Sequence, residues 1–248
     1  MNRQPVTGMK SASFTATLTL CLLLAMSIHA KAQDAKGSLR LVLIGDSTVC
    51  DYPTDKPQRG WGQFVQAYFK DEVKVINLAK GGRSTKTFIK EGLWQKTLNE
   101  KPDVILIQFG HNDSHSPDKP EATSASTDYK DYLRRYIDEA RAAGATPVLI
   151  TPMVRRNFGP DGKLRDILQP YAEAMKQVGA EKKVPVVDLH TSSWALVEPL
   201  GSKGSADMAS APGDGTHFNG KGAKAMAELV MKELPAAAPA LQSHLKGK

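Results

Sequence analysis

From residue 39 onward, short apolar runs alternate with longer amphipathic stretches, and this alternation constrains the fold more than any other feature of the chain. Five runs read as strands: residues 39–44 (LRLVLI), 73–78 (VKVINL), 104–109 (VILIQF), 147–151 (PVLIT) and 185–189 (PVVDL). Helices are predicted at residues 62–70, 85–99, 127–143, 164–183 and 220–233. In the third of these, Tyr129, Leu133, Tyr136, Ile137 and Ala140 recur at helical spacing, a stripe suited to core packing. The pattern is that of parallel strands covered by helices, so the expectation is one α/β domain over residues 37–234, undivided by repeats or long linkers. Residues 235–248 (PAAAPALQSHLKGK) present no convincing apolar face and are expected to form a flexible tail. Two long loops, residues 111–126 and 153–163, begin where strands end, at the sheet edge where ligands bind in open parallel sheets.

Ahead of this domain, Arg3 and Lys10 precede the apolar segment 11–28 (SASFTATLTLCLLLAMSI), which is followed by Ala30-Lys31-Ala32. Basic start, apolar middle and small residues at a cleavage site form the pattern of a signal peptide, residues 1–32. The Ser and Thr in its middle argue against a stable membrane anchor, and Leu20 before Cys21 argues against a lipoprotein. The expectation is an exported protein, periplasmic or extracellular and of bacterial origin. Loss of Arg3, Lys10 and Lys31 with the leader lowers the formal charge from +7 to +4. The basic residues that remain are scattered among acids and aromatics are 6% of the chain, so nucleic-acid binding has little support, whereas a slightly basic surface suits an acidic polymer. Cys50 is the one cysteine beyond the leader, and no cysteine-specific signature surrounds it.

Four polar motifs fall at strand ends. The first strand runs into Gly45-Asp46-Ser47. A serine there can serve as a nucleophile if an imidazole takes its proton and a third group orients that imidazole, although Gly-Asp-Ser is also a turn or helix-cap sequence. The imidazole and its partner appear in Asp214-Gly215-Thr216-His217, since an acid three residues before a histidine can lie beside it within one turn of chain. A tetrahedral intermediate also needs fixed donors for its oxyanion. The backbone N–H of Ser47, a glycine N–H in Ala79-Lys80-Gly81-Gly82-Arg83-Ser84 and the side chain of Asn112, in Gly110-His111-Asn112-Asp113, are three candidates. A metal alternative rests on His111, Asp113 and His115, two histidines and an acid within five residues, but it leaves the other motifs unused. Asn112-Asp113-Ser114 also fits a glycosylation sequon, and a glycan there would block the site.

Together and in this order the motifs resemble the SGNH (GDSL-like) hydrolases, over about residues 39–233. Within that superfamily GDSTV, Arg59-Gly60-Trp61-Gly62, GGRSTKTF, FGHND and DGTHFN are most similar to rhamnogalacturonan acetylesterases. The resemblance implies a three-layer α/β/α sandwich with a five-stranded parallel, flavodoxin-like sheet. It implies Ser47 as nucleophile, His217 as base then acid, Asp214 as its orienting group, and Ser47, Gly82 and Asn112 as the oxyanion hole. No metal or organic cofactor is required. Arg83 and His111 become possible contacts to sugar hydroxyls or a uronate carboxylate, each with a structural alternative, and Trp61 is expected to pack against the sheet. The fungal acetylesterases carry disulfides that Cys50 alone cannot supply, so packing must stabilise this chain. The activity implied is removal of acetyl groups from a plant cell-wall polysaccharide, acetylated rhamnogalacturonan first. Acetyl xylan esterase, lipase and thioesterase activities are the enzymatic alternatives, and a carbohydrate-binding protein with a degenerate site is the non-enzymatic one.

Overall fold

Successive residues of the first strand part to opposite sides. Leu41 and Leu43 enter one apolar cluster, while Val42 and Ile44 enter another. Val104 and Leu106 against Ile105 and Ile107 repeat this division on the third strand, as the period-two geometry of a strand with two covered faces requires. The computed structural model describes residue 1 and residues 38–247. The expected leader therefore lies outside the described residues, apart from Met1.

The strands are β1 (Leu39–Gly45), β2 (Val73–Asn77), β3 (Val104–Gln108), β4 (Thr146–Ile150) and β5 (Val186–Val187). They form one parallel sheet in the order β2-β1-β3-β4-β5. In register, Leu41 lies opposite Val75 on one side and Val104 on the other. One face is covered by a 3₁₀ segment, Trp61–Tyr68, with helices α5 (Leu189–Val197) and α7 (Gly220–Ala237). The other carries α1 (Thr85–Lys90), α2 (Leu93–Asn99), α3 (Asp128–Ala142) and α4 (Gln169–Lys182). A short helix, α6 (Gly201–Ser205), lies between α5 and α7 in the chain. The result is the expected three-layer α/β/α sandwich, and the α3 stripe from Tyr129 to Ala140 is buried in it.

Several boundaries differ for local reasons. The helix expected over residues 85–99 breaks into α1 and α2 at Gly92, whose φ of 72° lies in the left-handed region. The helix expected from residue 164 starts at Gln169, because Leu164 bridges Phe158 and the Asp166 carboxylate receives the Gln169 N–H at 2.9 Å. β5 is short because Asp188, expected within it, instead caps α5 by accepting the Thr191 N–H. The expectation of a flexible tail is corrected. α7 continues to Ala237, and a second 3₁₀ segment, Pro239–His244, buries Leu241 to 1% exposure in the core. Leu245 then bridges Phe69, and the Lys246 N–H bonds to the Tyr68 carbonyl at 2.9 Å. One apolar residue per turn was enough to dock this segment, which is too sparse to register as an amphipathic face. Among the described residues, no helix is long and apolar enough to cross a membrane.

Candidate active site

β1 delivers Ser47 to the carboxyl edge of the sheet through a tight turn. The N–H groups of Val49 and Cys50 return to the Asp46 carbonyl, and the Asp46 carboxylate accepts from the Thr48 N–H at 2.8 Å and the Thr48 hydroxyl at 2.7 Å. Position 45 must be glycine, because a Cβ there would stand 2.6 Å from the Gln108 carbonyl oxygen. The Ser47 carbonyl accepts the Tyr52 hydroxyl at 2.8 Å, which fixes the far side of the turn.

The residue that faces Ser47 comes from 170 positions away. His217 Nε2 lies 3.0 Å from Ser47 Oγ, and its Nδ1 lies 2.9 Å from Asp214 Oδ2. Asp214 Oδ1 accepts the N–H groups of Thr216 and His217, each at 2.8 Å, and its Oδ2 accepts the Ser210 hydroxyl at 2.9 Å. Burial alone would raise the Asp214 pKa, but these donors outweigh it and hold the carboxyl at about 2. The group is thus a carboxylate over the neutral range. A serine, an imidazole and an ionised acid in this chain can move a proton from Oγ to Nε2 while the acid stabilises the imidazolium that forms.

Two loops close on Ser47. The Lys80 N–H bonds to the Gly45 carbonyl at 2.9 Å, and a Cβ built on Gly81 would touch Ser47 Cβ at 3.7 Å, so the Gly81-Gly82 turn lies against the nucleophile. Gly82 adopts φ of 79°, which favours glycine, with open space where a side chain would stand. The Asn112 side chain donates to the Arg83 carbonyl at 3.0 Å, which aims its amide from the β3 loop across to the β2 loop. The geometry brings Ser47, His217 and Asp214 together, sets the Gly81-Gly82 turn against Ser47 and ties the Asn112 amide to the loop after β2.

This arrangement coincides with a family model, that of the GDSL-like lipase/acylhydrolases, which matches residues 43–225. The chain belongs to this family. Two relatives from Bacillus subtilis (strain 168) are similar over most of its length. The probable rhamnogalacturonan acetylesterase YesY is 42% identical over 77% of this chain and 90% of its own, and the rhamnogalacturonan acetylesterase RhgT is 36% identical over 85% of this chain and 95% of its own. Among solved structures, the YxiM protein of Bacillus subtilis superposes with a TM-score of 0.70 at 28% identity, covering 80% of this chain and 56% of that one.

In this acylhydrolase the remaining expected contacts are placed differently. His111, read as either a possible substrate contact or a structural residue, is 2% exposed and lies inside, with Nδ1 3.3 Å from Asp46 Oδ2, which favours the structural role. Burial drives its pKa down, and the neighbouring Asp46 only partly opposes this. Between Gly110 and Asn112 the local sequence does not say which way this side chain turns, and the loop after β3 folds it inward beside Asp46. Arg83 donates to Glu91 at 2.9 Å and to the Gly81 carbonyl at 2.7 Å, bracing the β2 loop. Trp61 is buried as expected, and its ring N–H donates to Gln108 at 2.7 Å. His115 faces Glu121 at 2.6 Å rather than His111. Asn112 is 8% exposed, which leaves the sequon asparagine no room for a glycan. Cys50 is buried, and burial raises its thiol pKa, which disfavours the thiolate.

The sequence assigns no bracing role to three further residues of the site. Asp113 is fully buried and accepts from Thr85 and Thr123, joining the start of α1 to the β3 loop. Arg156 donates through Nη2 to the carbonyls of Asp214 at 2.8 Å and His217 at 2.7 Å, and packs over the Phe218 ring. Arg155 donates to the Thr216 hydroxyl and to the His111 carbonyl. The adjacent arginines at the end of a strand loop were the available clue.

Proposed function

We propose that the protein is an exported serine esterase that removes acetyl groups from a plant cell-wall polysaccharide, acetylated rhamnogalacturonan in particular. The observation that carries this reading is the continuous chain from Ser47 Oγ through His217 to Asp214. Ser47 Oγ attacks the acetyl carbonyl carbon as its proton passes to His217 Nε2. The carbonyl oxygen becomes an oxyanion, received by the N–H groups of Ser47 and Gly82 and the Asn112 amide. The C–O bond to the sugar then breaks, and His217 returns the proton to the departing sugar oxygen, which leaves acetyl-Ser47. Water attacks this ester, again giving a proton to His217, and collapse releases acetate and restores the serine.

The substrate assignment draws support from the names of YesY and RhgT and from the motifs around the triad. Export draws support from the apolar segment at residues 11–28, because an enzyme acting on a wall polymer must meet it outside the cell. The test is acetate release by protein lacking residues 1–32 from acetylated rhamnogalacturonan and acetylated xylan, with Ser47→Ala as control. Release from the pectic polymer that Ser47→Ala abolishes is the expected result. Release from xylan alone would keep the triad and discard the substrate, and full activity in Ser47→Ala would remove the nucleophile.

A further inference from the structure

Arg155 forms no direct ion pair among the described residues, although the charges of Asp46 and Asp214 act on it from farther off. Its guanidinium donates to two neutral oxygens, the Thr216 hydroxyl and the His111 carbonyl, and its buried Nε has no hydrogen-bond partner. The same side chain lines a cavity of about 450 Å³ formed by the loops after β3 and β4. Lys119, His115, Asn157 and Ile167 line it as well, and no Asp or Glu does. Two acids stand close by: Glu121 engages His115 at 2.6 Å, and Asp118 lies a loose 3.8 Å from the Lys119 ammonium. Ile167 is 50% exposed, one of few large apolar side chains left on the surface. An apolar side chain beside two cations and an amide matches the two sides of a charged sugar, a C–H face that rests on carbon and a carboxylate that seeks Lys and Arg.

The position of the cavity ties it to the reaction. Thr216 immediately precedes His217, and His111 immediately precedes Asn112, so the guanidinium that borders the cavity also buttresses both the general-base loop and the oxyanion loop. We propose that this cavity is a subsite for the carboxylate of a uronic acid residue of the polymer that carries the acetylated sugar, with Lys119 and Arg155 as its cations and Ile167 as the platform for the ring. The proposal rests on the acetylesterase reading for its substrate, and it adds residues that select for an anionic backbone.

Calorimetric titration tests it without turnover. The probes are a deacetylated oligosaccharide of alternating rhamnose and galacturonate and the same oligosaccharide with its carboxyl groups reduced to alcohols. Wild-type protein is expected to bind the uronate form more tightly, with affinity falling as salt rises. Lys119→Glu is expected to weaken that binding about tenfold, Lys119→Arg to restore it, and the reduced oligosaccharide to be indifferent to both. Equal binding of the two oligosaccharides, no measurable binding of either, or a Lys119→Glu variant that binds the uronate form as wild type does would each overturn the proposal. Hydrolysis of p-nitrophenyl acetate by wild-type protein reports separately on the esterase: its absence alongside carboxylate-dependent binding would sink the catalytic reading and leave the subsite.

Discussion

The Asn112 side-chain amide donates to the carbonyl oxygen of Arg83 at 3.0 Å, a bond that joins the loop after β3 to the loop after β2. An amide NH₂ has two hydrogens, so one bond to Arg83 orients the group and leaves the second N–H to donate elsewhere. That fixed donor is what an oxyanion requires, because no reorganisation is needed as charge develops. Asn112→Ala is therefore expected to lower kcat on acetyl esters by about 10²–10³-fold while KM changes little. Steady-state kinetics decides: a raised KM with intact kcat would make Asn112 a ground-state contact only.

Arg156 is the second element of preorganisation. One nitrogen serves the carbonyls of both Asp214 and His217, and the Arg156 N–H bonds to the Gly215 carbonyl at 2.6 Å, so this residue holds the turn that carries the general base. Burial lowers its pKa to about 10, still charged at neutral pH. A lysine ammonium stops short of the Nη2 position and lacks the planar cation that packs over the Phe218 ring. Arg156→Lys is expected to reduce kcat about 10- to 100-fold, since a small displacement of a catalytic group is costly, with the fold retained by circular dichroism. Wild-type kcat in that variant would show that the Asp214–Ser210 and backbone bonds suffice.

The legibility of this molecule in its sequence divides along a physical line. Strand positions and the α3 stripe were readable because apolar periodicity is local, and Ser47, Gly82, Asn112, Asp214 and His217 were readable because their residue types are rare together, three of the motifs following strands and the fourth preceding the last long helix. For His111 a substrate contact and a structural role both stayed open, because whether a polar side chain at a sheet edge turns outward or under the turn depends on Asp46, 65 positions away. The bracing roles of Asp113 and Arg156 were not legible for the same reason: each acts by bonding to another loop, through partners 28 and 58 positions distant. The docked C-terminal segment depends on Phe69 and Tyr68, which no local pattern of residues 235–248 reveals.

Asp214 predicts an acid-side signature. Its folded pKa, about 2, lies below the ordinary 3.8, so its contribution to stability is present above the ordinary value and is lost as pH falls toward about 2. Asp214→Asn lacks this contribution at every pH. The difference in melting temperature between wild type and variant is therefore expected to shrink between about pH 4 and about pH 2. Because the variant also loses the ring's oriented tautomer, kcat near neutrality is expected to fall on the order of 10³–10⁴-fold. A stability difference independent of pH across the acid range would show that the carboxylate is not held down by its donors.

Asp113 predicts the opposite sign. Burial raises its pKa to about 7 against the opposing pull of the Thr85 and Thr123 donors, so the folded protein keeps a proton that the unfolded chain releases near 3.8. Its contribution to stability is then complete below the ordinary value and is lost as pH rises through about 7. Asp113→Asn supplies a neutral acceptor of the same shape for the Thr85 N–H and does not titrate. Relative to wild type, the variant is expected to gain in melting temperature from about pH 4 to about pH 7 and to level off above that. The Thr85 N–H lies three residues from Gly82, so kcat of the variant at the higher pH should match or exceed wild type if ionised Asp113 strains the oxyanion loop. A melting-temperature difference that stays flat over this interval would mean that Asp113 is ionised in the folded state throughout, and that the threonine donors dominate over burial.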